Sequence, residues 1–251
     1  MRLDFVAWGD AITGLSLKAG PSKGGVTALP FRYSTPVMYS GAALMEIYKS
    51  AGGSAKSTGP APSAEDLANE LSPLIVEEPK AAAEGDPKAK TGLALELAKR
   101  RKKEPTLVAL AQLPASGCRR ATVLLAPADG GTYTAYVIDD DPSKLPVGQM
   151  RVHNLSPLPI AIRCNGKEKK ELQTRETFLV PAQNQQIIYE IGYKLGREWK
   201  MQENNIIPVR SNEQTQMIVL KSNNPYFMSS DGSSGGFLQI ITLRRGPAAA
   251  Q

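Results

Sequence analysis

The chain has one histidine and two cysteines among its 251 residues. A hydrolytic triad needs a base beside a nucleophile. A histidine base could only be His153, and no Gly-x-Ser-x-Gly elbow accompanies it. His153 falls inside a predicted strand, so a surface or barrel-rim histidine is the expectation. A zinc centre needs about four ligands at set spacing. Cys118, His153 and Cys164 are the only thiol and imidazole ligands, with no C-x-x-C pair. The glycine-rich stretches at Gly24-Gly25 and 230–236 lack the Gly-Lys-Ser/Thr that cradles phosphate, so they are expected to be turns. Asp139, Asp140 and Asp141 supply oxygen ligands but lack the spacing and central glycine of a calcium loop. A solvated strand end is expected there. No cofactor is expected. No apolar run approaches the roughly 18–20 residues of a membrane span, so no transmembrane segment is expected. Residues 1–8 are not expected to form a signal peptide, since Asp4 and Gly9 interrupt the stretch and no small-residue cleavage site follows.

What the chain does have is strand grammar. Its 22 glycines and 19 prolines fit many turns. The stretch 149–166 carries the clearest pattern. Met150, Val152 and Asn154 alternate with Arg151, His153 and Leu155, which is the period of a strand. Ser156-Pro157-Leu158-Pro159 cannot continue a ladder, because proline has no N–H to donate. Ile160, Ile162 and Cys164 then share a face, and Asn165-Gly166 is a strong hairpin signal. A proline corner between two strands moves a chain from one packed sheet to another. Similar runs recur at 3–8, 15–18, 26–29, 31–33, 37–40, 44–49, 106–113, 121–126 and 133–138. They continue at 178–180, 185–193, 197–201, 216–221 and 237–244.

Between these runs the composition shifts. Residues 50–105 are rich in Ala, Lys, Glu, Ser, Gly and Pro, and no aromatic residue occurs between Tyr48 and Tyr133. This segment reads as a low-complexity insertion with short helices at 64–71 and 92–103. The expected architecture is all-β: two consecutive small antiparallel β-sandwiches. The first spans 1–147 and carries the insertion at 50–105. The second spans 148–246, and 247–251 form a tail. Cys118 and Cys164 both fall at strand ends, where either a disulfide between them or two free thiols is possible.

Residues 150–166 resemble the opening strands of a bacterial domain family of unknown function, whose pattern runs roughly V-R-V-x-x-x-S-P-x-x-P-x-x-V-x-x-N/D-G. The chain as a whole is similar to uncharacterised exported bacterial proteins with tandem domains. The resemblance implies immunoglobulin-like sandwiches, and a location in the periplasm, envelope or exterior after removal of a signal peptide. The sequence itself also allows a cytoplasmic protein.

Lys99, Arg100, Arg101, Lys102 and Lys103 form the densest charge on a chain of net charge +6. Such a run can bind a polyanion or a partner, or complement the dipole at a helix C-terminus. No sequence-specific nucleic-acid binding is expected of it. Tyr189, Tyr193, Trp199, Tyr226 and Phe227 could stack a glycan, but core packing has first claim on so few aromatics. The leading expectation is a non-enzymatic structural or binding module that self-associates or docks a protein partner. A polyanion- or glycan-binding protein and a hydrolase are the rivals.

Overall fold

The computed structural model describes residues 1–18, 25–50, 92–114, 118–221 and 238–246. The expected helix at 64–71, most of the insertion, Tyr226, Phe227 and the tail lie outside them. In chain order the first half holds β1 (Arg2–Ala7), β2 (Ile12–Leu17), β3 (Val26–Pro30), β4 (Val37–Met38) and β5 (Leu44–Lys49). Helix α1 (Gly92–Arg101), β6 (Leu107–Gln112), β7 (Arg120–Ala128) and β8 (Thr132–Asp139) follow. The second half holds β9 (Gln149–Asn154), β10 (Ile160–Cys164), β11 (Glu168–Leu172), β12 (Thr177–Pro181) and β13 (Gln186–Leu195). It closes with β14 (Glu198–Pro208), β15 (Gln214–Lys221) and β16 (Leu238–Arg245). Among the described residues the regular structure is β apart from α1 and a short 3-10 turn at Asp129–Gly131.

The first half is one eight-stranded sheet in the order β6-β5-β2-β3-β1-β7-β8, with β4 added to β1. It curls until β6 lies beside β8, and α1 packs over β6 through Leu93 and Leu97 against Leu107 and Leu110. The second half is a sandwich of β11-β10-β13-β14 on β12-β9-β15-β16. Its core includes Met150, Val152, Ile160, Ile162, Ile191, Met217 and Val219. Pairing is not antiparallel throughout: β1 runs parallel to both β3 and β7, and β9 runs parallel to β15. The first strand is threaded into the middle of its sheet rather than joined to a neighbour by a hairpin. Parallel strands covered on both faces read as near-continuous apolar runs, and residues 3–8 are such a run, broken only by Asp4.

Alternation along β1, β7 and β15 feeds two cores at once. Leu3, Phe5, Ala7, Val123 and Leu125 fill the interior of the curled sheet. Val6, Trp8 and Leu124 point the other way, where they meet Ile218, Leu220 and Leu243 of the second half. On β15, Met217 and Val219 belong to the sandwich core while Ile218 and Leu220 belong to this shared layer. The outer face of β12-β9-β15-β16 is thus covered by the first half. Trp8 and Phe31 anchor the layer edge to face, with ring centroids 5.7 Å apart.

The proline corner carries the chain from the sheet of β9 to that of β10. Asn154, buried at the end of β9, holds it. Its Nδ2 donates to Leu158 O at 2.8 Å and Leu172 O at 3.0 Å. Its Oδ1 accepts from Ser156 N at 3.1 Å and Ser156 Oγ at 2.7 Å. Asn165 and Gly166, at φ 51° and 70°, then turn the chain into β11. Truncating Asn154 strands several buried polar groups, each worth about 1–3 kcal/mol. Asn154→Ala is therefore expected to lower urea-unfolding stability by roughly 2–4 kcal/mol. A loss below about 1 kcal/mol would remove the corner from the list of structural anchors.

Candidate functional site

His153 is not at the surface. It sits on the face of β9 that meets the first half, with 4% of its surface exposed. The alternation was read correctly, but both faces of this strand are covered. Burial, and then the Arg151 charge, push its imidazole down to about 3, so it is neutral at ordinary pH. Its Nε2 has no partner among the described residues, and neither has Oε1 of Gln216 on the adjacent β15.

The three aspartates at the end of β8 and just after it are not a solvated strand end. Asp139 pairs with Lys144 and accepts from Cys118 Sγ at 3.3 Å. Asp141 Oδ1 accepts from Ser143 N at 3.0 Å and Ser143 Oγ at 2.8 Å, closing the turn that follows. Asp140 is 1% exposed and turns into the layer between the halves. Successive carboxylates alternate in direction here as they do in a strand, so the three serve different neighbours. Among the described residues no group of three or more His, Cys, Asp or Glu side chains converges to hold a metal ion.

Asp140 belongs to a sealed ionic cluster. Arg245, at the end of β16, lies 2.8 Å from Asp4 of β1 and 3.1 Å from Asp140. Its guanidinium stacks over Tyr33 at 4.0 Å. Thr122 Oγ1 donates to Asp140 Oδ2, and Gln216 Nε2 donates to Asp140 Oδ1 at 2.5 Å. Burial pushes the Asp140 carboxyl up, against the pull of Thr122, Arg245 and Gln216. Tyr33 is likewise pushed up by burial and by Asp140. The cluster is buried and ties the first strand, the connector and the last strand together, as a clamp does. Sequence reasoning missed it. The available signal was Asp4 within an apolar strand and Gln216 at the start of another.

The basic run divides in two. Arg100 donates to Glu96 at 2.7 Å and to Glu46 of β5 at 2.5 Å, and Arg101 donates to Gly130 O at 3.0 Å. Burial would raise the Glu46 carboxyl, yet Tyr48, Lys18 and Arg100 hold it below its ordinary value. Those two arginines staple α1 to the sheet, while Lys99, Lys102 and Lys103 are exposed. Cys118 and Cys164 are free thiols. Cys164 lies in the sandwich core and Cys118 packs against the core of the first half. The bridge that their strand-end positions allowed is not formed. Burial pushes Cys118 up to about 11 and Cys164 up to about 12, which leaves both thiols poor nucleophiles.

The surface most suited to contact is the outer face of β11-β10-β13-β14. Tyr189 and Tyr193 point into the core, whereas Trp199 stands on the outer face, 42% exposed. Met201 at 66%, Ile206 at 53% and Ile188 at 44% share that face. The register sets Ile188 beside Ile206, Gly192 beside Met201 and Lys194 beside Trp199. A bulge after Ile191 shifts the two strands at this point. A Cβ on Gly192 would meet Lys200 O at 2.8 Å, so only glycine lets the strands close there. Above it lies a groove of about 440 Å³ bordered by Ala161, Arg163, Glu190, Trp199 and Met201. Arg163 and Glu190 pair across it at 3.4 Å. No protein-family model matches the chain, and no curated protein matches it.

The buried imidazole has a pH consequence. An unfolded chain takes up a proton at His153 near pH 6.5, while the folded chain resists until about 3. Below 6.5 the unfolded state binds more protons, so stability falls as pH drops through that window by about 1.4 kcal/mol per unit. His153→Leu is expected to remove about 2 kcal/mol of the stability lost between pH 7 and 5, measured by urea unfolding at both values. An unchanged pH dependence in the variant would show that His153 is not held neutral.

Proposed function

We propose that this chain is a non-enzymatic binding or structural module of the bacterial cell envelope or exterior, and that it docks a protein partner through the outer face of β13 and β14. One observation carries the reading. Trp199 and Met201 stand at a groove with a charged border, and Ile188 and Ile206 are exposed on the same sheet face beyond the Glu190–Asn204 pair. Protein contact surfaces are rich in tryptophan and methionine at their centre and polar at their rim. Contiguous exposed apolar patches are uncommon on isolated proteins. β14 is also the last strand of its sheet, where a partner strand can add main-chain hydrogen bonds. The envelope location rests on the resemblance of residues 150–166 to an exported family.

The shape suits the role. The opposite sheet of the sandwich is covered by the first half, so the β13–β14 face is presented by a braced scaffold. A second copy of the chain would be the partner if the protein self-associates.

The test begins with sedimentation of the pure protein and with capture from the envelope fraction of its own bacterium. Affinity for the copy or protein so found is then measured for the parent, Trp199→Ala and Met201→Ala. A central tryptophan contributes 2 kcal/mol or more, so Trp199→Ala is expected to weaken binding by about thirtyfold. The parent's complex is also expected to protect β13 and β14 amides from hydrogen exchange. Binding that is indifferent to both substitutions, or protection confined to other strands, would refute this face as the docking site.

A further inference from the structure

A second concave site lies in the first half, at the seam where β6 and β8 come together under α1. It is a cleft of about 290 Å³. Leu93 and Leu97 of α1, Leu110 of β6 and Ala135 of β8 give it apolar walls. Two arginines line it, Arg101 from the end of α1, whose Nη1 donates to Gly130 O, and Arg175 from the turn between β11 and β12. Among the described residues neither has a carboxylate within salt-bridge distance. Asp129 also lines the cleft, so the balance of formal charge there is one positive.

Arg175 belongs to the second half, yet it reaches over the first. Its backbone is at φ 71°, a left-handed conformation that costs a residue with a Cβ about 1–2 kcal/mol. The turn holds it there: Arg175 N donates to Asn154 O at 2.6 Å, and Glu176 N donates to Gln173 O at 3.0 Å. Glycine or asparagine would fill this position with less strain. Strained non-glycine residues cluster at binding sites. Of the five described non-glycine residues at positive φ, Arg175 is the one that lines this cleft, and its charge is felt by Tyr136 on β8.

We propose that the cleft binds a small amphiphile with one anionic headgroup, a carboxylate or a phosphate. The apolar part lies along Leu93, Leu97, Leu110 and Ala135, and the anion sits with Arg101 and Arg175. Arginine suits this task because its planar fork matches both headgroups. The apolar lining contributes affinity in proportion to the ligand area it buries. This site is separate from the β13–β14 face and does not depend on that face having a partner.

Calorimetric titration of the full chain with octanoate, octyl phosphate and octanol tests the proposal. At least one anion is expected to bind about tenfold tighter than octanol, the effect of a single charge-assisted contact. The ratio of the two anions identifies the preferred headgroup. Arg175→Gly is expected to weaken that anion at least about fivefold while the melting temperature holds or rises, because the strain is relieved. Should the melting temperature fall, Arg175→Asn, which removes the cation and tolerates the left-handed backbone, reads the same contribution. Octanol binding as tightly as both anions, no anion binding at millimolar concentration, or unchanged affinity in both variants would overturn the assignment.

Discussion

The structure depends on the pairing of Arg245 with Asp4 and Asp140 between the two halves. One cation from the last strand faces a carboxylate from the first strand and another from the connector, beneath the ring of Tyr33. Charges buried this way are costly unless their geometry and hydrogen bonds are nearly complete. Removing one partner leaves the others uncompensated, a loss of about 3–5 kcal/mol. The cluster thus adds orientation to a layer that Val6, Trp8, Leu124, Ile218, Leu220 and Leu243 hold together by burial. Hydrophobic contact alone tolerates sliding, whereas a guanidinium between two carboxylates specifies register. The connector is fixed by the same logic. Leu145 is fully buried, its carbonyl accepts from Gln214 Nε2 at 2.5 Å, and Gly148 N donates to Glu213 O at 2.9 Å.

Much of this fold was legible because its strands obey a period of two. The stretch 149–166 gave its strands, its corner between sheets and its turn directly, since proline and Asn-Gly constrain the backbone locally. Helix α1 followed from its Ala, Leu, Glu and Lys content. Other features were hidden for physical reasons. β11 carries the run Glu-Lys-Lys-Glu-Leu, charged on an edge where water solvates both signs, so no apolar alternation marks it. The parallel pairing of β1 depends on where a strand is threaded, which periodicity does not encode. His153 and Asp140 looked solvent-facing because each is a polar residue on a strand face turned away from the core of its own half. In each case the other half covers that face, and burial by a distant segment leaves no local signal.

The candidate sites divide in the same way. Trp199 was visible as an aromatic in a strand, but its exposure follows from the bulge at Gly192 and from Tyr189 and Tyr193 taking the inward positions. The five basic residues were visible as a run. Their fates differ because α1 presents Arg100 to Glu46 and Arg101 to the β7–β8 turn while the lysines face water. The cleft beneath α1 combines a helix, a sheet seam and a turn from the other half, so no sequence window contains it. Two halves braced against each other are what bring Arg175 to Leu93 and hold the β13–β14 face outward.

The central claim is that the shared layer makes the two halves one cooperative unit. Urea unfolding of the Trp199→Phe variant tests it directly. Trp8 of the shared layer is then the only tryptophan, and its fluorescence can be compared with the far-ultraviolet circular dichroism of the whole chain. Coincident transitions with one midpoint and one slope are predicted. Loss of the Trp8 signal at a lower urea concentration, with most strand signal still present, would contradict it and show two halves that separate before either unfolds.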